Sequence, residues 1–136
     1  MHTVGTFAPD SSETAREQYE SVGPAAQTVV REVARAMEFD REEYGDRVTG
    51  EVVETARDAL FASLLEVSVG TRAEFDSWRA EYAGEVVEVG NENVENVVWH
   101  AGPEDLAVAA TFHEKEEAAV ATLRRQAFGR MYRELM

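Results

Sequence analysis

Apolar residues recur at helical spacing along the first half of the chain. Ser11 and Ser12 precede the first such segment as candidate caps, and Gly23-Pro24 separates it from a second segment with Ala26, Val30, Val33 and Met37 on one face. A third stripe runs from Val48 to Val67, and Gly70 ends it. The pattern therefore predicts three helices, of which the third is the most apolar and supplies the centre of the core.

A shorter helix is predicted directly after Gly70. The segment from Thr71 to Glu74 has the spacing of a capping box. Phe75, Trp78 and Tyr82 then follow at i, i+3 and i+7, and Gly84 ends the pattern. An aromatic stripe of this kind either packs against the core or offers a platform for a ligand, and the first alternative is the more common.

Beyond Gly84 the apolar pattern changes to short β-branched runs over residues 86–89, 94–101 and 106–113. With a four-residue turn at residues 102–105, Trp99 pairs with Val108. This register places Trp99 and Phe112 on a heavy face that packs on the helices, and His100 on a lighter, more open face.

These elements predict an α+β fold with four to five helices packed on a small antiparallel β-meander of two to three strands. We expect a single domain over residues 1–136, because the length is typical of one core. Its predicted parts are a mobile N-terminus (1–10), a helical region (11–84), the meander (85–113) and a C-terminal helix (114–136).

The amino-acid composition indicates the salt concentration in which the protein works. The chain has 27 acidic residues against 13 basic ones, of which only Lys115 is a lysine, and it has no cysteine. Such an excess of carboxylates is tolerated in molar salt, where the Debye length is only ~3 Å. The chain has neither an apolar run long enough to span a membrane nor a secretion signal. We therefore expect a halophilic, cytoplasmic protein that does not bind membranes.

The C-terminal helix differs from the rest in charge. Residues 115–136 hold five basic and three acidic residues, whereas residues 1–114 carry a net charge of −16. Within this helix Arg124 has only apolar neighbours at i±3 and i±4, which include Val120 and Phe128. A charge on an apolar face needs a partner. We expect Arg124 to be substantially buried and to contact a carboxylate of another helix, for which Glu66 is the candidate.

The sequence contains no recognisable constellation of catalytic or metal-binding residues. His113 begins an H-E-x-x motif, but residue 117 is Glu where a zinc protease would have its second His. In the predicted register His100 and His113 are about 20 Å apart, which is too far for a shared metal ion. Nucleic-acid binding is disfavoured because the molecule as a whole is acidic. We therefore predict no catalytic residue, no metal site and no cofactor.

Two classes of function remain open. The first is a non-enzymatic interaction or regulatory domain that binds a protein partner or a second copy of the chain. The second is a small-molecule-binding protein or an enzyme, with a pocket between the meander and the helices. In that case Arg124, Trp78 and Tyr82 are the candidate ligand-binding residues, because a guanidinium and aromatic rings can hold an anionic ligand.

Two helical runs resemble a known group of proteins: GPAAQTVVRE at residues 23–32 and EVVETARDAL at residues 51–60. In these runs, and in its acidic, lysine-poor composition, the chain is similar to a haloarchaeal family of small proteins whose activity is uncharacterised. The resemblance implies cytoplasmic residence in molar salt. It implies no activity and no site residues.

Overall fold

The structure, a computed structural model, describes all residues 1–136 and forms one five-stranded sheet with helices on both faces. Its strands are β1 (His2–Val4), β2 (Val67–Thr71), β3 (Glu85–Val89), β4 (Asn96–Ala101) and β5 (Leu106–Phe112). Its α-helices are α1 (Ser12–Ser21), α2 (Gly23–Ala36), α3 (Arg41–Arg47), α4 (Gly50–Ser63), α5 (Arg72–Glu81) and α6 (Glu116–Ala127). A π-helical turn (Phe128–Tyr132) and a 3₁₀ turn (Arg133–Leu135) extend α6.

Side-chain caps fix where several helices begin. Ser11 accepts a hydrogen bond from the Thr14 amide at 3.1 Å, which confirms it as the cap of α1. Thr71 and Glu74 form the predicted reciprocal capping box at the start of α5. Since each cap satisfies an amide that has no partner inside the helix, these polar residues set the boundaries locally.

The sheet has the strand order β1-β2-β4-β5-β3, in which β3 runs parallel to β5 and all other neighbours are antiparallel. The prediction of an α+β fold is confirmed, but a two- to three-stranded antiparallel meander understates the sheet. The expectation that β3 belongs to a simple meander is wrong, because β5 lies between β3 and β4.

Two strands lie outside the region predicted to be β. Residues 2–4, expected to belong to a mobile terminus, pair with β2 as an edge strand. Val67 and Val69, which the helical pattern places at the end of the third helix, instead point into the core from β2. Their alternation with Ser68 and Gly70 has the period of a strand, but it covers too few residues to stand out after an apolar helix.

The predicted register of β4 and β5 is wrong by one residue. Trp99 pairs with Ala109 rather than with Val108. The reason lies in the turn, where Gly102 donates its amide to the Leu106 carbonyl at 2.9 Å and Glu104 and Asp105 adopt positive φ angles of 62° and 54°. This turn is one residue longer than the predicted one, and one residue reverses the face of a strand.

Both faces of the sheet are therefore covered. On one face His100, Val98 and Phe112 lie against the main core, which α1, α4 and α6 complete around Phe61. On the other face Trp99 packs with Phe75 of α5. Trp99 and His100 are both buried, and the expected pairing of Trp99 with Phe112 on one side is not found.

Candidate functional site

Arg124 does not contact a carboxylate, so the predicted ion pair with Glu66 is wrong. Its Nε donates to the Leu65 carbonyl at 2.9 Å and one Nη donates to the Val4 carbonyl at 3.1 Å. The guanidinium is half-buried, and this desolvation lowers the pKa of Arg124 from its usual value. Arg124 thus joins β1 to the connection between α4 and β2.

The position of Leu65 explains this choice of partner. Leu65 lies just beyond the C-cap of α4, and no backbone amide donates to its carbonyl, so this oxygen is free to accept from Arg124. Gly5 makes the approach possible, because a Cβ at this residue would lie 2.8 Å from the Arg124 guanidinium. The sequence shows that Arg124 needs a partner, but it carries no signal that the partner is backbone.

The side chain of His100 is a second buried polar group, and it binds the carbonyl of the residue after Leu65. His100 Nδ1 is 2.6 Å from the Glu66 carbonyl, and its Nε2 is 2.6 Å from the Tyr132 hydroxyl. Because a carbonyl only accepts, Nδ1 carries the proton and Nε2 accepts from the hydroxyl. His100 is therefore neutral in this arrangement, and burial lowers its pKa. Burial also raises the pKa of the Tyr132 hydroxyl.

This pair is closed to ligands rather than poised for catalysis. A Cβ at Gly102 would lie 2.6 Å from Met131 Sδ and 3.1 Å from the Tyr132 hydroxyl, so the turn after β4 packs directly over the pair. Sequence reasoning missed the pair because its members are 32 residues apart and lie in different elements. The only signal of the pair in the sequence is a His within the apolar run of β4.

A small cleft opens beside Arg124, between α4 and α6. Its volume is about 250 Å³, and it is lined by Ala59, Ala62, Ser63, Ala121, Arg124 and Arg125. Ligand pockets commonly have volumes of about 300 to 1,000 Å³ with several convergent polar groups. This cleft is smaller, and two guanidinium donors of Arg124 are already bound to carbonyls. It also lies between two helices, not between the sheet and the helices as predicted.

Trp78 and Tyr82 lie far from Arg124 in the fold. Their rings stack at 4.7 Å between centroids, and Trp78 also lies 5.8 Å from Trp99. They therefore belong to the side of the sheet that α5 covers, whereas Arg124 belongs to α6 on the other side. The structure does not bring the three candidate ligand-binding residues together. The Tyr82 hydroxyl is buried without a hydrogen-bond partner.

The histidines are also dispersed. His113 lies in an open cleft of about 480 Å³ beside β5 and the start of α6, together with Lys115 and Phe112. His2 contacts Glu116 at 3.1 Å on the surface. No three His, Asp or Glu side chains converge in a way that would hold a metal ion.

The most distinctive surface lies on the hairpin of α2 and α4. Large apolar residues that are exposed occur eight times in the chain, and five of them fall between residues 29 and 52. On α2, Val29, Val33 and Met37 are 44%, 53% and 58% exposed. They repeat every four residues and thus form one stripe along the helix. Val52 of α4 is 41% exposed.

The stripes of the two helices lie on the same side of the hairpin. The N-terminus of α2 lies against the C-terminal half of α4, since Gly23 contacts the Arg57 guanidinium, so the helices run antiparallel. On each helix the open residues directly precede residues that face the other helix: Val29 precedes the buried Val30, and Ala56 precedes Arg57. Because the helices are antiparallel, this equal offset turns both stripes to the same side. We name this surface the hairpin face; it comprises Ala25, Val29, Val33, Ala36, Met37, Val52, Ala56 and Ala59.

The opposite stripe of α2 is covered by other residues of the fold, whereas the hairpin face is not. Ala26, Val30 and Ala34 are buried against the rest of the hairpin. The hairpin joins the main core only near its base, where the Tyr19 hydroxyl of α1 donates to Asp58 at 2.6 Å and Phe61 enters the core. No residue of α3 is buried. The hairpin is thus an arm of the fold with one packed and one open apolar side.

No helix in the structure has the length and apolar character that crossing a membrane would require. Comparison with curated proteins and with solved structures finds no match to this chain. A family model does match, over residues 6–133, and its description is family of unknown function (DUF5809). Because this match covers nearly the whole chain, the chain belongs to this family.

Proposed function

We propose that this protein is a non-enzymatic interaction domain that binds a macromolecular partner through the hairpin face. The observation that carries the proposal is the uncovered stripe of Val29, Val33 and Met37 beside Val52. Single exposed apolar residues are ordinary on protein surfaces, but a contiguous apolar patch indicates a contact site.

The dimensions of the hairpin face suit a helical partner. Each of its two helices has 14 residues and is therefore about 21 Å long. The surface is built from small and β-branched side chains, which let another backbone approach closely. Covering a Val side chain that is otherwise exposed contributes on the order of 1 to 2 kcal/mol, so a few such residues supply a useful binding energy.

We further propose that the domain works in the cytoplasm of a cell with a high internal salt concentration. The support is compositional: 27 acidic residues, 12 arginines and a single lysine. In molar salt these carboxylates repel one another weakly, whereas the apolar contact of the hairpin face is strengthened or left intact.

The experiment that tests the interaction function is site-specific photo-crosslinking in cells that express the chain. A benzophenone side chain replaces Val33, and in a matched control it replaces Arg31, which is exposed on the other side of the same helix. We expect a covalent adduct with a macromolecule from position 33 and none from position 31. Equal labelling at both positions, or none at either, would contradict the proposal.

A second candidate function is small-molecule binding at the cleft beside Arg124. One observation favours it, namely that this cleft combines an apolar floor with two arginines at its rim. Titration with benzoate, followed by NMR, distinguishes the two functions. Shifts confined to Ala62, Ser63 and Ala121 would favour a carboxylate ligand, whereas scattered or absent shifts would leave the interaction function as the better account.

A further inference from the structure

We infer that the occupant of the hairpin face is an amphipathic helix of another protein, with Lys or Arg residues along the edges of its apolar side. This inference rests on the proposed interaction function and names the partner by its chemistry. Three features support it: the apolar groove of the hairpin, the charge at one end of this groove, and the net charge of the whole chain.

The hairpin face is formed by two antiparallel helices, and the groove is the line along which they meet on this side. Val and Ala residues of α2 and α4 lie exposed along it, and the larger Met37 lies at one end. A helix that places residues i, i+3, i+4 and i+7 into such a groove is a common mode of peptide recognition. A partner helix of about 14 residues would match the length of the groove.

The charge at the Met37 end decides the character of the partner. Residues 38–54, which join α2 to α4 and include the first turn of α4, contain seven acidic and two basic residues, a net charge of −5. None of these seven carboxylates takes part in an ion pair. An apolar groove that is bordered by free carboxylates favours a partner with basic flanks, because complementary charge raises the rate and specificity of association.

The same charges disfavour a second copy of the chain. Two identical hairpin faces would bring together two segments of net charge −5 within molecules of net charge −14. Like charges that an interface brings into contact oppose association even at high salt, because partly buried charges are screened much less than exposed ones. The same carboxylates that repel a second copy of the chain attract a basic helix of another protein.

The test uses two designed peptides as probes, both helical and both with leucines at i, i+3, i+4 and i+7. One has lysines along the edges of the leucine stripe, and the other has glutamates at the same positions. Binding to the full chain is measured by fluorescence anisotropy at the lowest KCl concentration at which circular dichroism shows the chain folded. We expect the lysine peptide to bind at least about tenfold more tightly than the glutamate peptide.

The acidic chain would attract a lysine peptide by charge alone. A variant of the hairpin face therefore separates charge attraction from apolar contact. Val29→Ser with Val33→Ser removes apolar contact without changing charge, and Val89→Ser is the matched control on the exposed edge strand β3. We expect the double variant to lose about tenfold in affinity and the control to lose nothing. Equal binding by all three proteins would mean non-specific attraction, and it would overturn the inference.

Sedimentation of the chain alone distinguishes failure of this inference from failure of the proposed function. A dimer that forms in molar KCl and is abolished by the double variant would show that a second copy occupies the hairpin face, so the basic helix would be the wrong partner although the interaction function stands. A monomer that also binds neither peptide and gives no adduct from position 33 would overturn both.

Discussion

At the residue scale, two polar side chains that the core half or fully buries bind backbone carbonyls, and neither binds a carboxylate. Arg124 and His100 bind the carbonyls of the neighbouring residues Leu65 and Glu66. The sequence predicts from its neighbours that Arg124 needs a partner, because an isolated buried charge is costly. The sequence cannot predict that the partner is a carbonyl, because every residue has a backbone carbonyl and nothing in the sequence indicates which of them is available.

The first prediction concerns the Tyr132 hydroxyl. In Tyr132→Phe the Nε2 atom of His100 loses its donor and remains a buried acceptor without a partner. We expect the free energy of unfolding to fall by about 1 to 3 kcal/mol, the cost of such an atom. Chemical denaturation in molar KCl measures this change. Tyr44→Phe, at an exposed tyrosine, is the control and should leave stability unchanged.

The second prediction concerns pH. Burial holds the pKa of His100 below its ordinary value of 6.5, so the unfolded chain binds a proton at a higher pH than the folded chain. The contribution of His100 to stability is therefore complete above pH 6.5 and is lost as the pH falls from 6.5 towards the folded-state pKa. We expect unfolding experiments between pH 7 and 5 to show this loss. His100→Gln should flatten the curve, and an unchanged slope in this variant would refute the assignment.

At the element scale, capping residues and helical periodicity make the helices predictable from the sequence. Which strands pair with each other is much less predictable. Ser11 and the capping box at Thr71 are recognisable from local spacing alone. The position of β3 beside β5 is a non-local choice that no local pattern records. The prediction of the β4–β5 register failed for a local reason, because two non-glycine residues, Glu104 and Asp105, adopt positive φ angles that their residue types do not indicate, in a turn one residue longer than predicted.

The third prediction concerns the attachment of β1. Arg124 is the side chain that ties β1 to the α4–β2 connection, so Arg124→Met keeps the apolar packing but leaves two carbonyls without their donor. We expect a loss of about 2 kcal/mol and faster amide hydrogen exchange in residues 2–4. Arg125→Met, at the exposed neighbouring residue, should change neither quantity. Slow exchange in β1 of the Arg124 variant would show that the strand needs no such tie.

At the scale of the whole molecule, charge and the open hairpin face are the dominant features. Of the 27 acidic residues only five take part in ion pairs, namely Glu32, Glu74, Asp76, Glu88 and Glu116. Most carboxylates are thus free to repel one another. The sequence shows this excess of charge directly. It does not show the hairpin face, because Val29 and Val33 resemble core residues until the fold leaves them uncovered.

The fourth prediction follows from the free carboxylates. When KCl falls from molar to about 10 mM, the Debye length grows from about 3 Å to about 30 Å, and repulsion extends across the whole molecule. We expect the thermal midpoint of unfolding to fall markedly over this range, and NaCl at equal ionic strength to act in a similar way. A midpoint that does not depend on salt would exclude halophilic adaptation.

The most direct measurement of the central claim is hydroxyl-radical footprinting of Met37, which is 58% exposed on the hairpin face. Met1 is 69% exposed away from this face and serves as the internal reference in the same molecule. The ratio of Met37 to Met1 oxidation is compared between the purified chain at low concentration and the chain in a high-salt extract of cells that express it. If the hairpin face binds a partner, the ratio falls in the extract. An identical ratio in both samples would mean that the face stays open, and it would contradict the interaction function.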